Sequence, residues 1–237
     1  MRATLDLLTA RDPRHGPLPL LLILLTIVTG LVDAVSYLAL GHVFVANMTG
    51  NVVFLGFAVV DAEGFSVPAS LTAIAAFLFG ALAGGWLVGR YGAHRGRLLA
   101  ATLVIETLLV ALALAVALGA IGSSPVGRYL MIAALSIGMG LQNATARRLA
   151  VPDLTTTVLT LTLTGFAADS GLAGGTNPRL GRRTIATASM FLGAAIGALV
   201  LLRIGTGAVL AIALALLLIV LAAAAPHWRT TAAWTAP

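Results

Sequence analysis

The residues in this chain that could do chemistry sit in surroundings that should exclude them. Between Phe44 and Gly56 the sequence reads FVANMTGNVVFLG, apolar enough for a membrane interior, yet it carries Asn47, Thr49, Gly50 and Asn51. Lipid offers no hydrogen-bond partner, so polar side chains and a helix-weakening glycine at membrane depth belong against protein or water. Asn and Thr would present amide and hydroxyl groups, and a helix broken at Gly50 would expose backbone groups of the kind that bind ions and substrates in transporters. The plainer alternative is that the same side chains hydrogen-bond neighbouring helices.

Three other sets of residues invite the same reading. Asp33 follows Thr26 and Gly30 on one helical stripe, with Ser36 and Tyr37 beside it. A carboxylate inside a membrane helix must be paired, protonated or facing water, so Asp33 is a candidate proton or cation site unless it lies near the helix end, where its cost is small. In the second half, Gln142 and Asn143 precede Arg147-Arg148, and Asp153, Thr157, Thr160 and Thr164 fall on one helical face, with Thr156 next to them. Threonine hydroxyls also bond back to their own helix and then contribute nothing to a ligand. Glu106, in the middle of an apolar run, is a secondary candidate that would pair with an arginine or relay protons.

The elements that must position these groups follow from hydropathy. Of 237 residues, 59% are hydrophobic and only 9% charged, against roughly 25% charged in soluble domains. With mean hydropathy at +1.04, the fold class is all-α, a polytopic membrane helix bundle. Apolar runs cover residues 17–40, 43–60, 69–89, 98–121, 129–146, 150–168, 184–202 and 204–225. A cleaved leader is the alternative for the first run; its length and Asp33 argue against that. The sequence divides into a cytoplasmic N-terminal segment (1–16), a first membrane unit (17–121), a second (126–225) and a C-terminal tail (226–237), within a single membrane domain.

The two units resemble each other. Thr26, Gly30 and Asp33 recur as Ser136, Gly140 and Asn143 at the same spacing. After a short gap, Val45, Asn47, Met48, Thr49 and Val52 align with Val151, Asp153, Leu154, Thr155 and Val158. Gly80, Ala81 and Gly84 align with Gly193, Ala194 and Gly197, at the GxxxG spacing that lets helix backbones approach; pairing of these faces would serve internal packing or a homo-oligomer. Transporters are often built from such repeats, with the site between them.

Arginine placement sets the topology. If all eight runs cross, basic residues divide almost evenly between the two sides. If 43–60 and 150–168 instead enter and leave on one side, every arginine except Arg128 and Arg203 falls on the N-terminal side, and the acidic loop with Asp61 and Glu63 falls opposite. The positive-inside rule favours six crossings plus two motif segments, with both termini cytoplasmic and the halves inverted; eight crossings are the alternative.

Several function classes are excluded or unsupported. There is no cysteine, so disulfides and thiolate chemistry are ruled out. The net charge of +6 sits in short loops between apolar runs, which reads as membrane orientation and not nucleic-acid binding. No GxSxG, HExxH or Walker loop occurs, and His15, His42, His94 and His227 lack metal-ligand spacing, so no enzyme activity, metal or cofactor is expected.

GLVDAVSYLALGHVFVANMTGNVVFLG at 30–56 strongly resembles the hallmark of the YoaK family of bacterial multi-pass membrane proteins, and GMGLQNATARRLAVPDLTTTVLTLTLTG at 138–165 is similar to its second motif. That resemblance implies a bacterial inner-membrane location and a family of unknown function sometimes described as a permease. The expectation is therefore a small-solute permease, or secondary transporter, with membrane lipids and an unknown solute as partners; the alternative is a non-transporting membrane protein that binds lipid or a partner subunit.

Overall fold

The structure is a computed structural model that describes residues 14–157, 159–176 and 180–236; Arg2, Arg11, Val158 and Arg179 lie outside the described residues. The described residues form helices α1 (Leu18–Ala39), α2 (Met48–Val59), α3 (Val67–Tyr91), α4 (Arg95–Leu118), α5 (Pro125–Leu149), α6 (Thr160–Ala168), α7 (Leu180–Arg203) and α8 (Thr206–Ala224). Short 3-10 turns follow α6 and α8.

Local chemistry starts several of these helices. Ser66 caps α3 by accepting the Ala69 N–H, and Ser124 caps α5 by accepting the Gly127 N–H. Pro68 and Pro125 occupy the first turns, where the missing N–H costs nothing. His94 caps α4 through Arg97 N–H.

Five helices are long and apolar enough to cross a bilayer: α1, α3, α4, α7 and α8. The sixth long helix, α5, has 25 residues but carries Arg128, Gln142, Asn143, Arg147 and Arg148. By contrast, α2 has 12 residues and α6 has 9. At 1.5 Å per residue they reach about 18 and 14 Å, well short of a hydrocarbon core of about 30 Å.

Close-packed glycines place the long helices. A Cβ on Gly80 or Gly84 of α3 would strike Ile137 or Leu141 and Ala144 of α5, so these two helices run parallel with backbones in contact. A Cβ on Gly193 or Gly197 of α7 would strike Ile27 or Leu31 and Ala34 of α1, again a parallel pair. The reciprocal contacts match as well: Gly140 lies on Phe77 and Ala81, and Gly30 lies on Met190 and Ala194. In contrast, α4 and α5 run antiparallel, with Thr102 bonded to Thr145 and Glu106 packed near Gly138.

Around this centre the surface is apolar. Leu82, Trp86, Phe191 and Leu202 are each more than two-thirds exposed, as befits side chains that face lipid. The interior is drawn largely from α1 and α5; Leu22, Leu25, Val28, Val32, Leu135 and Met139 are all buried.

The chain's loops gather at two ends. Arg148 donates to Gly92 O, Arg97 to Trp228 O and Arg95 to Arg14 O, and His94 contacts Thr230 O. These bonds collect the start of α1, the α3–α4 turn, the end of α5 and the C-terminal tail at one arginine-rich end. Asp61, Glu63, Arg128 and Arg203 lie toward the other.

Candidate functional site

The first motif turns back into the bundle. After α1 the chain reverses at Gly41 and His42, then descends as a non-helical limb alongside α1. Asp33 lies well before the end of that helix, and its Oδ1 accepts Val45 N–H at 3.1 Å and Ala46 N–H at 3.0 Å. From there α2 climbs back out. His42 Nδ1 meets Gly64 O at 2.8 Å, so both ends of the segment lie at one end of the bundle. Rings of Tyr37, Phe44, Phe54, Phe57 and Phe65 pack together and hold the two limbs. Residues 43–60 are therefore re-entrant.

Asn51 pins the descending limb. It is fully buried; its Oδ1 accepts Phe44 N–H at 2.8 Å and its Nδ2 donates to Phe44 O at 2.6 Å. A side-chain amide pairs here with a backbone amide exactly as a neighbouring strand would, which spares an unpaired peptide in an apolar setting. The expected helix break is displaced: Gly50 lies inside α2, and the break comes at residues 40–47. What Gly50 supplies is room, since a Cβ there would meet the Phe44 ring. Asn47 precedes α2 without a side-chain cap and is exposed, as is Thr49. Ser36 is buried and donates to Asp33 O at 3.2 Å.

The second motif also descends and returns, from the arginine-rich end. Gln142 Nε2 donates to Thr29 Oγ1 of α1 and to Thr156 Oγ1, both at 3.0 Å. Thr157 donates to Asn143 Oδ1. Residues 153–157 are not helical, so Asp153, Thr157, Thr160 and Thr164 do not share a helix face; α6 begins at Thr160, which is exposed. Ala150, Asp153 and Thr156 adopt φ of 51°, 62° and 65°. For a β-branched threonine this left-handed conformation is strained, and such strain persists only where surrounding contacts over-determine it.

Arg183, buried near the start of α7, ties this segment down. Its Nη2 meets Asp169 Oδ2 at 2.8 Å, its Nε meets Asp153 Oδ1 at 3.2 Å, and its Nη1 donates to Gly165 O. Glu106 does not pair with an arginine: among the described residues neither of its carboxylate oxygens has a hydrogen-bond partner.

The structure thus brings Asp33, Ser36, Gln142, Asn143, Thr156 and Thr157 to the inner ends of two descending segments, linked through Thr29. It leaves Asn47, Thr49 and Thr160 outside that centre. Sequence reasoning missed Thr29, although it lies one helical turn before Asp33, and it assigned Arg183 to topology alone. Among the described residues, no three His, Asp or Glu side chains gather as a metal site.

Two re-entrant segments between long, lipid-exposed helices define a polytopic helical membrane protein. The chain belongs to the family described as protein of unknown function (DUF1275), whose pattern matches residues 21–223. It is also similar to the UPF0700 transmembrane protein YoaK of Bacillus subtilis, at 37% identity over 150 residues, which cover 63% of this chain and 65% of that protein. No solved structure matches.

Proposed function

We propose that this chain is a small-solute permease, a secondary transporter of the bacterial inner membrane, built from two duplicated halves that are inverted relative to each other. Both termini and the arginine-rich end would be cytoplasmic, in accord with the positive-inside rule. One observation carries the reading: two re-entrant segments approach from opposite ends and stop at polar residues inside the bundle, at Asp33 in one half and at Gln142 and Asn143 in the other. The mirrored glycine contacts support the duplication. Alternating access would come from rocking one half against the other around these tips, as in other inverted-repeat carriers. No enzymatic step, metal or cofactor is invoked.

Asp33 would pair with a coupling ion or a substrate amine. The test is uptake by proteoliposomes of radiolabelled amino acids, carboxylates and sugars. Saturable uptake of one of these, lost in Asp33→Asn that still folds, supports the reading. Folded protein that takes up none of them, and whose melting temperature none of them shifts, contradicts it. A groove of about 820 Å³ between α3 and α5, walled by Phe77 and Val88 and carrying Arg147 and Arg148, favours the second reading, a non-transporting protein that holds an anionic lipid.

A further inference from the structure

Glu106 on α4 and Gln142 on α5 present a pair of unmet hydrogen-bonding needs in the middle of the bundle. Glu106 is fully buried, and among the described residues both of its oxygens lack a partner. Gln142 is 1% exposed and its Oε1 also lacks one. The orientation of that amide follows from its neighbours. Thr29 Oγ1 gives its proton to Leu25 O at 3.0 Å, so toward Gln142 it accepts, and the group facing it must be the NH2. Both amide protons are then spent on Thr29 and Thr156, and the Gln142 carbonyl needs a donor.

Glu106 stands in the adjoining layer. The Thr102–Thr145 hydrogen bond, at 2.7 Å, lies on one side of it, and the packing of Glu106 and Leu109 on Gly138 lies on the other. Gln142 sits on α5 between Thr145 and Gly138. An ionised carboxylate in this place would be buried with no compensating donor among the described residues, which strongly disfavours the charge. A protonated one carries the single O–H that the Gln142 carbonyl lacks.

Among the described residues, the elements packed against α4 bring no other charge to this level. On α4 itself the charged groups are Arg95 and Arg97; α3 contributes Arg90 and Tyr91, α5 contributes Arg128, Tyr129, Arg147 and Arg148, and the turn after α8 contributes His227. All lie toward helix ends, from about 8 Å upward along the axes at 1.5 Å per residue, the lower figure being that of Arg147, five residues beyond Gln142. α8 offers no ionisable group. Asp33 lies one turn beyond Thr29 on α1, and its Oδ1 is occupied by backbone N–H groups.

We propose that Glu106 is a proton-binding site whose protonated form hydrogen-bonds Gln142 Oε1, and that its proton governs how firmly Gln142 holds the strained Thr156. Protonation would polarise the Gln142 amide and tighten its grip on Thr156; deprotonation would free the second re-entrant segment. This deepens the permease reading by naming the proton as the coupling ion, but the site stands or falls without any transported solute.

The test uses the full chain in proteoliposomes and two readouts. Infrared difference spectra across a pH titration should show a carboxylic-acid C=O band that is present in the native chain and in Asp33→Asn and absent in Glu106→Gln. With Thr155→Cys introduced into this cysteine-free chain, maleimide labelling, divided by the rate of a free thiol at the same pH to remove the thiolate dependence, should rise several-fold as pH rises, and that ratio should stay low and independent of pH when Glu106→Gln, which retains an N–H donor, is added. A band that survives Glu106→Gln, or that vanishes only in Asp33→Asn, overturns the site. The same pH profile with and without Glu106→Gln, or a flat profile in both, overturns the coupling. Absence of any saturable uptake with both readouts intact would instead count against the permease.

Discussion

Asp33 Oδ1 accepts the backbone N–H of Ala46 at 3.0 Å, a contact that folds the polar-studded run after the first helix back against that helix. It converts a run long enough to be taken for a crossing into a descending limb and a short helix. Two backbone donors that would otherwise be orphaned in the membrane interior are satisfied by one carboxylate oxygen.

Asp33→Asn keeps an acceptor at that point and should leave the protein folded, with a small fall in melting temperature. Asp33→Ala strands both the Val45 and Ala46 N–H groups, each costing about 1–3 kcal/mol. Thermal melts in detergent should therefore rank Ala well below Asn. Equal melting of the two would show that the contact does not hold the limb.

Asn51 both accepts from and donates to Phe44, which an amide can do and a carboxylate cannot. Asn51→Asp sets an oxygen against the Phe44 carbonyl and should destabilise the chain as much as Asn51→Ala, by about 2 kcal/mol or more. Chemical denaturation in mixed micelles measures this. A tolerated Asn51→Asp would contradict the pairing.

Gly80 and Gly193 lie where a Cβ would collide with the backbones of Ile137 and Ile27. Gly80→Val and Gly193→Val should each abolish monodisperse elution on size exclusion. Gly85→Ala and Gly89→Ala, where a Cβ meets nothing within 4 Å, should elute as the native chain does.

Arg183 is the hub that fastens the second segment through Asp153, Asp169 and Gly165. Arg183→Gln should raise maleimide labelling at Thr155→Cys several-fold while leaving labelling at Glu63→Cys unchanged. Equal rises at both positions would mean global loosening and not release of one segment.

Much of this was legible in the residues themselves. Hydropathy marked the long helices, and the arginine pattern separated re-entrant runs from crossing ones, because both are set by composition over many residues. The paired glycine motifs fell where the backbones touch. Finer geometry was hidden. The chain breaks before Asn47 because Asp33 captures Val45 and Ala46, a tertiary contact with no local signature, whereas Gly50 drew attention for its helix propensity. The threonine face across Asp153 and Thr160 assumed a continuous helix; left-handed residues at Asp153 and Thr156 interrupt it. Arg183 resembled any other loop arginine until two aspartates distant in sequence closed on it.

Residues 43–60 and 150–168 enter and leave from opposite ends of the bundle. Single cysteines at Glu63, Arg95 and Gly174, probed with a membrane-impermeant maleimide on intact cells and on inverted vesicles, test this most directly. Glu63→Cys should label from outside, and Arg95→Cys and Gly174→Cys from the cytoplasm. Cytoplasmic Glu63→Cys and Gly174→Cys with an external Arg95→Cys would mean that all eight runs cross, and would remove the re-entrant site.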